Sequence, residues 1–198
     1  PKAETQYEFI NRGQTPFPDG FALKVKAEIE KMAALKLSVD QKNFLETTCY
    51  FLTPVYLDYL KSYRYDPAEV TVKQDKSFLT LKITGPWYRT ILWEVPLMAI
   101  ISETFFKMTD PETVTDHQRQ MINQDKARIL QANAVKFADF GTRRRFSAGN
   151  QERLIQDLLN HEKHTLIGTC NVHFAHQFNI TPIGTLAHEW FMFHAVLH

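Results

Sequence analysis

Between residues 137 and 190 the chain repeats one pattern three times: a short apolar run halts at a glycine, and a helical pattern resumes within a few residues. The passages read Phe137-Ala138-Asp139-Phe140-Gly141-Thr142-Arg143-Arg144-Arg145, then Leu166-Ile167-Gly168-Thr169-Cys170, then Pro182-Ile183-Gly184-Thr185-Leu186-Ala187-His188-Glu189. This is the grammar of βα units with parallel strands. Strands set side by side in a parallel sheet or barrel end on one rim, where glycines admit a ligand close to the backbone and helix N-termini attract anions. A functional site is expected on that rim.

Composition narrows the partners. Lys plus Arg (23) nearly balance Asp plus Glu (22), so bulk charge favours neither a nucleic-acid nor an anionic-membrane partner, and anion recognition has to be local. A hydrophobic content of 44% supports a real core. Cys49 and Cys170 fit no metal or disulfide spacing, which favours a reducing, cytoplasmic setting. The longest apolar stretch, residues 91–101, carries Glu94 and Pro96 and is too short to span a bilayer. No signal peptide opens the chain, and its start at Pro1-Lys2 without a Met leaves room for residues upstream.

Ahead of the βα region the pattern is mixed. Tyr7 and Phe9 alternate with polar residues as in a half-buried strand. Phe21, Val25, Ile29 and Met32 recur at helical spacing, Ser38 with Gln41 resembles a capping box, and Thr53-Pro54 marks a third helix start. Residues 70–73 and 77–84 read as two strands turning around 74–76, with Leu79, Leu81 and Ile83 on one face. A helix over 89–108 is apolar almost all round and so belongs between layers, with Pro96 starting or bending it. A polar helix covers roughly 112–133. The fold class expected is α/β: an α+β N-terminal domain (1–110), a connecting helix (111–134), and the first βα units of an incomplete, irregular TIM-like barrel (135–198). Three parallel strands starting near 137, 166 and 182 leave unpaired edges and would make a poor domain alone.

Several side chains in this pattern bear chemistry. Arg143, Arg144 and Arg145 follow a strand directly, and planar guanidiniums suit phosphate or carboxylate bidentately. The equal alternative is a solvated basic turn paired with Asp139 or Glu152. His188 falls in the first turn of the last helix, where the helix dipole favours a neutral, nucleophilic imidazole for a base, a phosphate acceptor or a ligand. His188-Glu189 does not complete a zinc-protease helix motif, because position 192 is Met. The pairs His161 with His164 and His173 with His176 have helical spacing but no Cys or acidic partners at ligand spacing, so no metal site is expected. Trp87, Trp93, Trp190 and Phe191 are most simply core.

Three blocks together closely resemble the nicotinate phosphoribosyltransferase family: Gly85-Pro86-Trp87 with Thr90 to Leu97, Phe137 to Ser147, and Pro182-Ile183-Gly184-Thr185 with Ala187 to Phe191. The resemblance covers the whole chain but about half of the family's usual length. It implies an α/β N-terminal domain and an irregular barrel, assembled as a homodimer with shared active sites. The implied reaction joins nicotinate to phosphoribosyl pyrophosphate with coupled ATP hydrolysis and Mg²⁺, neither of which has a binding motif of its own here. His188 is then the transient phosphate acceptor and Thr185 a nicotinate-binding residue. Arg143 and Arg144 contact substrate anions, and Phe140, Gly141, Thr142, Gly168, Thr169, Cys170 and Gly184 complete the substrate-binding set. The resemblance also implies that the aromatic ring over nicotinate, further acidic residues and a phosphate loop come from segments outside these 198 residues, and that this stretch alone is inactive.

At position 170 the family more commonly has Ser, and the related nicotinamide enzyme has Asp. A carboxylate there would repel nicotinate, whereas a thiol does not, so Cys170 favours the acid over the amide. The competing expectations are a nicotinamide or quinolinate phosphoribosyltransferase and a degenerate, non-catalytic barrel module.

Overall fold

The computed structural model describes residues 3–110, 114–160, 165–185 and 187–197. Its first half is built on a three-stranded antiparallel sheet, order β1-β3-β2, from β1 (Glu4–Glu8), β2 (Val70–Asp75) and β3 (Phe78–Pro86). The β2–β3 turn holds Lys76 at φ 51°, with Asp75 opposite Phe78. That register sends Leu79, Leu81 and Ile83 to one buried face, as period-two alternation dictates. Each of these side chains contributes about 1.5–3 kcal/mol on leaving water.

Two helices cover that face. Helix α1 (Phe21–Met32) inserts Phe21, Val25 and Ile29. Helix α5 (Glu94–Thr109) adds Leu97 and Ile101, and Trp93 just before it is fully buried in the same core. Pro96 sits in the first turn of α5, where its missing N–H costs no intrahelical bond. Ahead of α5 the chain makes α4 (Trp87–Thr90) and a 3₁₀ turn over Ile91–Trp93. Carbonyls there are satisfied by tyrosines: Tyr59, Tyr63 and Tyr65 donate to the carbonyls of Tyr88, Arg89 and Leu92. Burial drives the Tyr59 and Tyr65 hydroxyls up to about 12.

Helices α2 (Val39–Thr48) and α3 (Pro54–Ser62) form a satellite around Leu45, Cys49 and Leu57. The Ser38–Gln41 capping box forms reciprocally, and Thr53 caps α3 with Pro54 at its first position.

The second half has its own core of Ala127, Ile155, Leu158, Leu166 and Phe174. It comprises α6 (Asp116–Ala132), β4 (Phe137–Asp139), α7 (Ala148–Leu159), β5 (Leu166–Thr169), α8 (Val172–Phe178) and α9 (His188–Leu197). The expected start of the polar helix at Glu112 lies outside the described residues. β4 and β5 pair in parallel, the register shifting between Phe137 and Ala138. The whole is mixed helix and sheet: an N-terminal α+β unit followed by the start of a barrel-type domain.

Two expectations need correcting. The strand expected near 182 is only a parallel bridge from Pro182 to Thr169, bounded by Thr169 N–H to the Thr181 carbonyl and Ile183 N–H to the Thr169 carbonyl. These two hydrogen bonds, one on each side of Pro182, tie the segment to β5 at a single residue, too short a pairing to make a strand. Trp190 and Phe191, expected in the core, are 49% and 62% exposed, because the first turns of α9 hold on to the N-terminal unit through Glu189 and Phe193 instead. Trp87 does join that contact, its ring stacked on Phe193 at 4.1 Å.

Candidate functional site

The ends of β4 and β5 are locked by one buried carboxylate. Asp139 accepts from the Gly141 N–H (2.9 Å), from Gln151 Nε2 (2.8 Å) and from the Thr169 hydroxyl (2.7 Å). Its own carbonyl accepts from the Cys170 N–H at 2.8 Å, and Gln151 Nε2 also reaches the Thr142 hydroxyl at 3.0 Å. Three neutral donors on one carboxylate replace the water it lost. The network joins the turn after β4, the turn after β5 and the first turn of α7 into one unit.

Glycines make this approach possible. A Cβ on Gly141 would stand 2.9 Å from Asp139 Oδ1, and one on Gly168 would stand 2.2 Å from the Thr181 carbonyl oxygen. The hydroxyls of Thr142 and Thr169 are buried within the network rather than offered outward. The Cys170 thiol is half-buried, 3.4 Å from the Thr142 hydroxyl. Phe140 stands out from the same turn, 51% exposed.

The arginines divide. Over Thr142–Arg144 the chain makes a 3₁₀ turn packed on α5. Arg145 points inward to pair with Glu103, and Arg143 pairs with Glu94 at 3.0 Å. Neither takes Asp139 or Glu152, the partners a solvated basic turn would have used. Arg144 is exposed and has no carboxylate partner among the described residues. Arg143 and Arg144 open onto a cleft of about 600 Å³, facing Tyr7, Arg12 and Glu94 above an apolar floor of Leu81, Ile83 and Leu97.

A second cleft, of about 520 Å³, borders Tyr7, Trp87, Glu189 and Phe193. The Glu189 carboxylate accepts from Trp87 Nε1 at 2.8 Å and from the Tyr7 hydroxyl, and burial raises its pKa above the ordinary glutamate value. Tyr7 lines both clefts. His188, the first residue of α9, is exposed, as are Gly184 and Thr185, and none of the three lines either cleft. The structure thus places Arg143 with Arg144 and Thr142 with Thr169 and Cys170. It does not bring Thr185 and His188 into the arginine cleft.

Among the described residues no group of three His, Cys, Asp or Glu is placed to hold a metal ion. His176 is taken up by Asp40 at 3.0 Å and the Phe44 ring, while His161 and His164 lie outside the described residues. No helix is long and apolar enough to cross a membrane.

Sequence reasoning did not single out Gln151, Arg12 or the Tyr7–Trp87–Glu189 contact. A signal existed for Gln151 alone: it occupies the stripe of α7 that Ile155 and Leu158 define, and a polar residue on an apolar stripe needs a buried partner.

An α+β unit followed by paired parallel strands, with arginines in the turn after the first of them, defines an α/β protein whose second half is the start of a barrel-type domain. The family model described as the nicotinate phosphoribosyltransferase N-terminal domain matches residues 1–102, and that of the nicotinate phosphoribosyltransferase family matches 135–198. The chain belongs to the nicotinate phosphoribosyltransferase family. It is 56% identical over 198 residues to the nicotinate phosphoribosyltransferase of Desulforapulum autotrophicum, covering all of this chain and 51% of that protein. The crystal structure of the Porphyromonas gingivalis nicotinate phosphoribosyltransferase superposes with a TM-score of 0.92 at 37% identity, over 100% of this chain and 51% of that one. The Vibrio cholerae nicotinate phosphoribosyltransferase structure gives 0.86 at 29% identity, over 98% and 48%. The chain spans about half the length of the relatives it matches.

Proposed function

We propose that the protein to which this chain contributes is a nicotinate phosphoribosyltransferase. It joins nicotinate to phosphoribosyl pyrophosphate, giving nicotinate mononucleotide and pyrophosphate, with ATP hydrolysis coupled through a phosphohistidine at His188. The observation that carries this reading is the pair Arg143 and Arg144, held by the β4 turn on one cleft, in a chain whose two halves match the two family models.

Both substrates are anions. The nicotinate ring nitrogen brings its own lone pair to the ribose anomeric carbon, so no base is required; the bond to pyrophosphate breaks and that electron pair leaves on the pyrophosphate oxygen. Guanidiniums fixed in advance stabilise the charge growing there without reorganising, and the rest of the task is positioning. In this reading Gly184 and Thr185 hold nicotinate, Phe140 packs against substrate, and Gly141, Gly168 and Cys170 shape the rim that Thr142 and Thr169 lock from behind. The division at residues 110 and 134, the homodimer with shared sites and the cytoplasmic location belong to the same proposal. ATP and Mg²⁺ are expected from the family. The described residues form no metal centre, so no step is assigned to the ion.

His188→Ala in the full-length protein is expected to abolish nicotinate-stimulated ATP hydrolysis while leaving the circular dichroism spectrum unchanged. Retained stimulation would refute the phosphoacceptor role. Competition between nicotinate and nicotinamide at fixed phosphoribosyl pyrophosphate tests the substrate, and a preference for the amide would overturn the reading of Cys170.

A further inference from the structure

His188 lies outside the arginine cleft, yet one residue of β1 stands between the two. Of the residues lining the two clefts, Tyr7 alone borders both. Its ring packs on the core of the N-terminal sheet, opposite Ile83 of β3, which belongs to the floor of the arginine cleft. Its hydroxyl donates to Glu189, the residue that follows His188. Trp87 Nε1 donates to the same carboxylate oxygen at 2.8 Å, and the Trp87 ring stacks on Phe193, four residues beyond Glu189 and so on the same face of α9. Strand β1 and helix α4 thus hold one face of α9 over its first two turns. His188 itself is exposed, so the anchoring of the turn it begins is what orients its imidazole. A single hydrogen bond, Tyr7 to Glu189, spans from the arginine cleft to that turn.

We propose that Tyr7 is a positioning residue that couples the arginine cleft to His188, its hydroxyl on Glu189 tying the start of α9 to whether the cleft is occupied. This rests on the reading of His188 as phosphate acceptor and of the cleft as a substrate site. Coupling needs an element with two discrete arrangements that both sites bias. The Tyr7–Glu189 hydrogen bond is such an element, since it is either made or broken. A ligand against the Tyr7 ring acts on it from the cleft side. A phosphoryl group on His188 acts from the other, by setting negative charge beside a carboxylate whose hydrogen bonds come from Tyr7 and Trp87.

The test is the ratio of ATP hydrolysis with nicotinate and phosphoribosyl pyrophosphate to that without them, measured in the full-length protein. Tyr7→Phe keeps the ring and its packing and removes only the hydroxyl. It should lower that ratio about fivefold or more, the low end of coupling between sites, and with it the nicotinate mononucleotide formed per ATP consumed. Glu189→Ala should lower the ratio similarly, and the double variant should fall no further than either single one. Glu189→Gln keeps an oxygen for both donors and should hold the wild-type ratio. Tyr59→Phe removes another tyrosine hydroxyl, one that bonds the Tyr88 carbonyl away from both clefts, and should also leave the ratio unchanged. If Tyr7→Phe keeps the wild-type ratio while His188→Ala abolishes stimulation, the coupling role is wrong and the phosphoacceptor reading stands. If His188→Ala also keeps the ratio, both fall. Equal losses of stimulated and unstimulated hydrolysis in Tyr7→Phe would mean that the hydroxyl only supports α9, and would overturn the coupling.

Discussion

Asp139 shows how far a residue's role depends on what surrounds it. In sequence it stands four positions before Arg143 and invites an ion pair. In the fold it is buried among three neutral donors, and Arg143 and Arg145 pair with carboxylates of α5 instead. Glu189 is the opposite case, a carboxyl whose burial behind Tyr7 and Trp87 raises its pKa. In the unfolded chain it loses its proton near the ordinary glutamate value of about 4.3; in the folded chain it does so at higher pH. Stability linked to the proton is therefore complete below the unfolded value and declines as pH rises through the raised folded one. Glu189→Gln keeps an oxygen for both donors and removes this decline. Melting temperatures followed upward from about pH 4 should fall more steeply for wild type than for the variant, and parallel curves would contradict it.

At the scale of elements, local signals and packing divide cleanly. The caps at Ser38 and Thr53, the α1 stripe and the β3 alternation are rules acting over a few residues, and each was legible in the sequence. The segment at Pro182 was not, because whether an apolar run becomes a strand depends on how far it stays alongside a neighbouring strand, and here it meets β5 at one residue only. Gly168 lets that segment lie against β5: a side chain there would meet backbone, which cannot rotate away. Gly168→Ala should lower stability by about 1–3 kcal/mol, as overpacking does, read as a lower urea midpoint at unchanged slope. A midpoint equal to wild type would mean that the two segments are less tightly apposed.

For the whole molecule, the question is how two cores become one body. The link runs along α5: Ser102 donates to the Arg145 carbonyl at 2.9 Å, Glu103 pairs with Arg145, and Phe106 meets Phe146 with ring centroids 5.1 Å apart. These contacts set where the β4 turn, and with it the arginine pair, stands relative to the N-terminal sheet. Glu103→Ala strands a mostly buried guanidinium and should cost about 1.5–3 kcal/mol. Hydrogen exchange should show α7 amides losing more protection than α1 amides. Equal loss in both would mean that the cores open only together.

The amino-acid order alone determined most of the elements, the antiparallel-then-parallel rhythm and the candidate rim, because hydrophobic period, caps and turn glycines act over short stretches of chain. It also carried the family, whose blocks are contiguous. The tertiary structure decided which arginine is paired and which is left uncompensated, that Asp139 and Gln151 lock the rim from inside, that α9 meets the sheet through Glu189, and that Arg12 joins a cleft shaped by residues far along the chain. Charge pairing, desolvation and cavity shape arise between segments remote in sequence, so no local pattern encodes them.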